Sequence, residues 1–116
     1  MVCDLRSKKC RPCEGIGRTL NRQEAAEYLS AVPDWTITDD GKSVVRVFIM
    51  KDFTAAVRAI TAIADVANGE DHHPDVHLTK YRRLTVEFST HALGGLTEND
   101  FIVAAKIDAL PMELKK

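Results

Sequence analysis

No stretch of this 116-residue chain stays apolar for the ~20 residues that span a bilayer. The opening residues carry Lys, Arg and Cys where a secretory leader needs an apolar core. Both absences point to a soluble, cytoplasmic protein with no membrane partner. Neither sign of charge dominates: Lys+Arg 16 against Asp+Glu 17 gives a formal net charge of −1, without the basic excess of a nucleic-acid binder. The local exception, Arg6, Lys8, Lys9 and Arg11, reads as a solvated basic end. Cysteine is scarce and odd in number. Cys3, Cys10 and Cys13 form C-x6-C-x2-C with no fourth thiol, whereas zinc sites usually close on four ligands, so the expectation is reduced, unliganded thiols and no metal. Repeats and low-complexity runs are missing too. The length suits one domain with one core and leaves no room for a second catalytic domain.

What is present divides into a Cys-containing basic N-terminal extension, residues 1–18, and a patterned domain, residues 19–116, with the boundary at the glycines flanking Ile16. Asn21 through Glu24 has the spacing of a capping box, and Ala25, Tyr28 and Leu29 stripe the helix it opens, with Pro33 as a stop. Trp35-Thr36-Ile37, the turn residues Asp39-Asp40-Gly41, and alternating Val45, Val47 and Ile49 form a hairpin. Asp52 caps a long helix in which Phe53, Ala56, Val57, Ile60, Ile63, Ala64 and Ala67 recur at helical spacing. A second hairpin pairs Val76 to Leu78 with Leu84, Val86 and Phe88, turning at Lys80 to Arg82. Thr97-Glu98-Asn99-Asp100 opens a last helix that runs to about Leu110. The order αββαββα predicts an α+β domain, a four-stranded antiparallel sheet with helices packed on one face.

Against that frame the histidines acquire positions. His72 and His73 fall in the loop leaving the long helix, and His91 follows the last strand. Loops beside a rigid sheet collect reactive groups, and imidazole exchanges protons near neutral pH without special tuning. Pro74 biases His73 toward extended backbone, which sends the adjacent rings in different directions. Spacing alone leaves two readings open, an acid–base site or ordinary histidines at hairpin ends. Metal binding is disfavoured, because the four-residue spacing of His73 and His77 serves a metal only on a helix and Pro74 interrupts one there.

The run Glu70-Asp71-His72-His73-Pro74-Asp75, followed by Ser89-Thr90-His91-Ala92-Leu93-Gly94-Gly95-Leu96-Thr97-Glu98-Asn99-Asp100, closely resembles the pterin-4a-carbinolamine dehydratases. Pro33-Asp34-Trp35 and Lys51-Asp52-Phe53 extend the likeness from about residue 19 to 110. The resemblance implies dehydration of a 4a-hydroxytetrahydropterin to quinonoid dihydropterin in tetrahydropterin recycling, without metal or cofactor. It implies that His72 and His91 donate protons on the two faces of the ring and that His73 mainly binds substrate. Asp71, Ser89, Thr90 and Ala92 would lie along the pterin. It also implies a homodimer or homotetramer, which would cover the exposed sheet edges.

Where many members carry an acidic residue four positions before the first histidine, this chain has Asn68, so Glu70 is the candidate carboxylate for holding an imidazolium. Asp100 matches a recurrent family aspartate, but its spacing from Thr97 favours a helix-capping role. Trp35, a lone tryptophan at a strand start, fits core or interface as well as a supporting place in the site. The alternative function is a non-catalytic module, since proteins of this fold also serve as a transcription-factor dimerisation cofactor and as assembly factors for a carbon-fixing enzyme. Those assembly factors typically lack the histidine set that is complete here.

Overall fold

The computed structural model describes residues 5, 8–10 and 18–115. Arg6, Arg11, Cys3, Cys13 and the glycines flanking Ile16 lie outside the described residues. The elements follow the expected order: α1 (Arg22–Leu29), β1 (Thr36–Ile37), β2 (Val44–Ile49), α2 (Phe53–Glu70), β3 (Asp75–Thr79), β4 (Arg83–Phe88) and α3 (Glu98–Asp108). Local chemistry accounts for the helix starts. Asn21 accepts from the Glu24 N–H at 2.8 Å while Glu24 accepts from the Asn21 N–H at 2.9 Å, a complete capping box. The Asp52 carboxylate accepts from the Ala55 N–H at 2.8 Å, and α2 ends where Asp71 turns left-handed at φ 53°. Asp tolerates that conformation better than most residues with a Cβ.

All strand pairs are antiparallel, and the spatial order is β1-β2-β4-β3. Alternation sets the two faces of the sheet: Leu84, Val86 and Phe88 of β4 and Val44 and Phe48 of β2 are buried, whereas Val47 and Ile49 remain exposed on the other side. A fully buried phenylalanine contributes roughly 1.5–3 kcal/mol relative to an exposed one, so the β4 row is a major source of stability. Trp35 belongs to the same core. Its indole N–H donates to Asp108 Oδ1 at 2.9 Å, its ring lies 6.0 Å from that of Phe88, and Arg46 reaches the same Asp108 oxygen at 2.6 Å.

The helices differ from their expected faces in one respect. The apolar residues of α2 serve two surfaces: Ala55, Ala56, Ala59, Ile63 and Ala67 are buried, while Phe53 and Val57 are 55% and 45% exposed. The stripe is wider than one core can cover. α3 is buried nearly all round, including Asn99 and Asp100, because it packs between α1 and α2 in the shared core. Leu5, from the N-terminal extension, also enters that core. No helix among the described residues is long and apolar enough to cross a membrane.

Candidate active site

Register brings the histidine segments together. Asp75 opposes Glu87 in the β3–β4 ladder, so the chain entering β3 and the chain leaving β4 emerge side by side at one end of the sheet. His72 and His73 lie on the first, and Ser89, Thr90 and His91 on the second. After β4 the chain turns tightly over residues 91–94, closed by a Thr90–Gly95 bridge in which the Thr90 N–H donates to the Gly95 carbonyl at 2.8 Å. Gly94 supplies the positive φ of 75° that this turn requires. The same turn delivers Thr97 and α3, whose first turn points back toward His72.

Asp100 is the hub. Its side chain is 0% exposed, and Oδ1 lies 2.6 Å from His72 Nε2. Oδ2 accepts from the Thr90 hydroxyl and from the Thr97 N–H, both at 2.9 Å. The Thr90 hydroxyl is committed to Asp100, so the Thr97 hydroxyl, 2.8 Å away, donates to Thr90. A buried carboxylate is stable only when its oxygens are so occupied. Because an ionised carboxylate only accepts, His72 carries its proton on Nε2 there, which leaves Nδ1 to take or release the exchanging proton. The imidazole lies nearly parallel to Phe88, 12° between planes and 6.0 Å between centroids, and its side chain is 11% exposed. Its packed position fixes the orientation while keeping an opening to solvent.

The other expected residues lie around this pair. His73 is exposed, with Nε2 2.9 Å from Asn68 Oδ1, so a neutral amide on the last turns of α2 orients it. His91 is 75% exposed, and its Nε2 stands 4.0 Å from Asp75 Oδ2. Asp71 is the exposed left-handed residue at the end of α2, Ser89 is half-buried, and Ala92 is exposed in the turn. Asp100 therefore joins the capping role to a direct bond with His72. Glu70 points elsewhere: it accepts from the Cys10 N–H at 2.8 Å and lies 3.8 Å from Lys106 Nζ. Trp35 is held by Phe88 and Asp108, on the core side. Asn68 stood out in the sequence as a departure from the family's acidic residue, but its contact with His73 did not, because a five-residue separation matches no helical pairing rule.

Two further features bear on chemistry. Among the described residues no group of three or more His, Cys, Asp or Glu side chains is placed to hold a metal ion. A cavity of about 580 Å³ walled by Asn21, Arg22, Thr38, Lys42 and Gly95 contains none of the three histidines.

The comparisons with known proteins bear on this arrangement directly. The model of the family described as pterin 4 alpha carbinolamine dehydratase matches residues 18–110. The chain belongs to that family. It is therefore a member of a hydro-lyase family. Pterin-4-alpha-carbinolamine dehydratase 2, mitochondrial, of Arabidopsis thaliana is 41% identical over 97% of this chain and 62% of its own length. A Legionella pneumophila (strain Corby) protein named for the same activity is 46% identical over 95% of this chain and 97% of its own. Among solved structures, the transcriptional coactivator/pterin dehydratase of Brucella melitensis superposes with a TM-score of 0.74 at 34% identity, over 79% of this chain and 97% of that one. The carbinolamine dehydratase family thus supplies a reaction against which each side chain can be assessed.

Proposed function

We propose that the chain dehydrates 4a-hydroxytetrahydropterins, releasing quinonoid dihydropterin and water, by histidine acid–base catalysis. The carrying observation is the His72–Asp100 pair. In the carbinolamine, the lone pair of the ring nitrogen next to C4a forms a C=N bond as the C4a–O bond breaks. Hydroxide is a poor leaving group, so an imidazolium that protonates the departing oxygen accelerates this step by roughly 10²–10⁴-fold. Water leaves, and a ring N–H proton returns to the imidazole, so the catalyst is restored. Buried Asp100 accepts from His72 Nε2 and so fixes the ring and its tautomer, and Nδ1 delivers the proton. His91, exposed on the neighbouring turn, serves the opposite face of the ring. His73, oriented by Asn68, binds substrate, and Asp71, Ser89 and Ala92 line the pterin edge, with buried Thr90 supporting them through its bond to Asp100. No cofactor enters the chemistry, and the reaction belongs in the cytoplasm, where thiols stay reduced.

The same reading includes a closed homo-oligomer, dimer or tetramer. The exposed Phe53 and Val57 on α2 and the unpaired edge of β3 each need a cover, and symmetric pairing supplies one. The histidine chemistry is tested with His72→Ala in single-turnover decay of freshly generated substrate. A folded variant should lose about 10²-fold or more in rate, and an unchanged rate would remove His72 from the mechanism.

A further inference from the structure

The N-terminal cysteine motif has no place in the dehydration, yet part of it is built into the site's support. The Cys10 N–H donates to Glu70 Oε1 at 2.8 Å, and its thiol donates to the Asn99 carbonyl with Sγ at 3.7 Å. Two residues earlier, Lys8 Nζ meets Glu98 Oε2 at 2.6 Å, an oxygen that also accepts from the Tyr28 hydroxyl at 3.1 Å. Leu5 anchors the segment in the core, at 2% exposure. The partners on the domain side are informative. Glu70 is the last residue of α2, two before His72, and Asn99 immediately precedes Asp100 on α3. The segment therefore bridges the two elements whose separation sets the His72–Asp100 bond.

Charge gives the bridge a physical role. Glu70, Glu98 and Asp100 place three carboxylates close to the junction of α2 and α3, and Glu70 is only 9% exposed. From the segment Lys8 meets Glu98 and the Cys10 N–H meets Glu70, while Lys106 of α3 lies 3.8 Å from Glu70, so cationic and N–H groups face the carboxylates at both helix ends.

We infer that residues 8–10 form a positioning strap, which clamps the end of α2 to the first turn of α3 and so keeps His72 and Asp100 in proton-transfer geometry. Cys10 is a positioning residue that touches no reacting atom. This inference rests on the reading of His72–Asp100 as the acid pair, so its test needs a readout independent of turnover.

The full-length chain provides one in the exchange rate of the His72 Nε2 proton, measured by NMR. Cys10→Pro removes both the N–H and the thiol, Cys10→Ala removes the thiol alone, and Cys10→Ser restores a donor. In Cys10→Pro, the proton should exchange about tenfold faster or more, and kcat should fall by about tenfold while KM stays within about twofold. Cys10→Ser should stay close to wild type in both. Unchanged exchange in folded Cys10→Pro would overturn the strap, and faster exchange with unchanged kcat would overturn its positioning role. Should Cys10→Pro fail to fold, the double variant Lys8→Ala with Cys10→Ala is measured by the same two criteria. Wild-type protein without turnover would sink the dehydratase reading, while the exchange data would still decide whether the strap holds the pair.

Discussion

Replacing Asp100 with asparagine separates its structural and chemical duties. The carboxylate accepts three hydrogen bonds, from His72 at 2.6 Å and from Thr90 and Thr97 at 2.9 Å each. An asparagine oxygen can still face the Thr90 hydroxyl and the Thr97 N–H, so the α3 cap survives. The amide NH2 then faces His72, which must shift its own proton to Nδ1 in order to accept. One charge-assisted bond is lost and one weaker bond replaces it, a net cost of about 1–2 kcal/mol. Asp100→Ala leaves buried donors with nothing to bond and should cost about 3–5 kcal/mol. Urea unfolding followed by Trp35 fluorescence reports both, because Trp35 is the only tryptophan and is buried against Phe88. Activity should not follow stability. The asparagine variant loses the carboxylate that accepts the Nε2 proton and presents the wrong tautomer, so its rate should fall by about 10² or more. An Asp100→Asn protein that keeps a rate within about twofold of wild type would refute the assignment of Asp100 to holding the orientation and tautomer of His72.

Two other expectations follow from the same geometry. Burial first, and then the neighbouring Glu70 carboxylate, push the Cys10 thiol up from an ordinary 9.0 to about 12. The folded state therefore favours the neutral thiol: its contribution to stability is complete below pH 9.0 and disappears as pH rises toward about 12. Iodoacetamide labelling at mildly alkaline pH, followed by peptide mass spectrometry, should find Cys10 slow in the native protein and fast in urea, and equal rates would contradict the buried placement. Separately, Phe53→Glu combined with Val57→Glu puts charge on the exposed stripe of α2. Light scattering should show a smaller assembly with the monomer fold intact, and an unchanged mass would move the interface elsewhere.

Much of the fold was readable because its determinants are local. Asn21 with Glu24, and Asp52 with Ala55, are short-range caps whose spacing shows in the sequence, and the period-2 pattern of Leu84, Val86 and Phe88 marks a strand whatever it pairs with. The division of α2's apolar residues between core and surface was not readable, since helical periodicity shows a face without saying how much of it a partner covers. The site was half legible. His72, His73 and His91 stand out as residues, but Asp100's bond to His72 crosses 28 positions and was hidden behind an equally good local reading, the cap on Thr97. Glu70 stood closer in sequence to the histidines, and tertiary packing instead turned its carboxylate to Cys10. The extension read as a tail because nothing periodic marks it. Leu5 and Cys10 acquire their roles only once α2 and α3 provide surfaces to meet.

The central claim is tested most directly by stopped-flow decay of freshly generated 4a-hydroxytetrahydropterin at substoichiometric protein, with wild type, His73→Ala and His91→Ala compared. The account predicts acceleration well above buffer by the wild-type chain and a loss of about tenfold or more in each folded variant. No acceleration by folded, assembled wild-type protein would contradict it and leave a binding or assembly module that retains the histidines for another purpose.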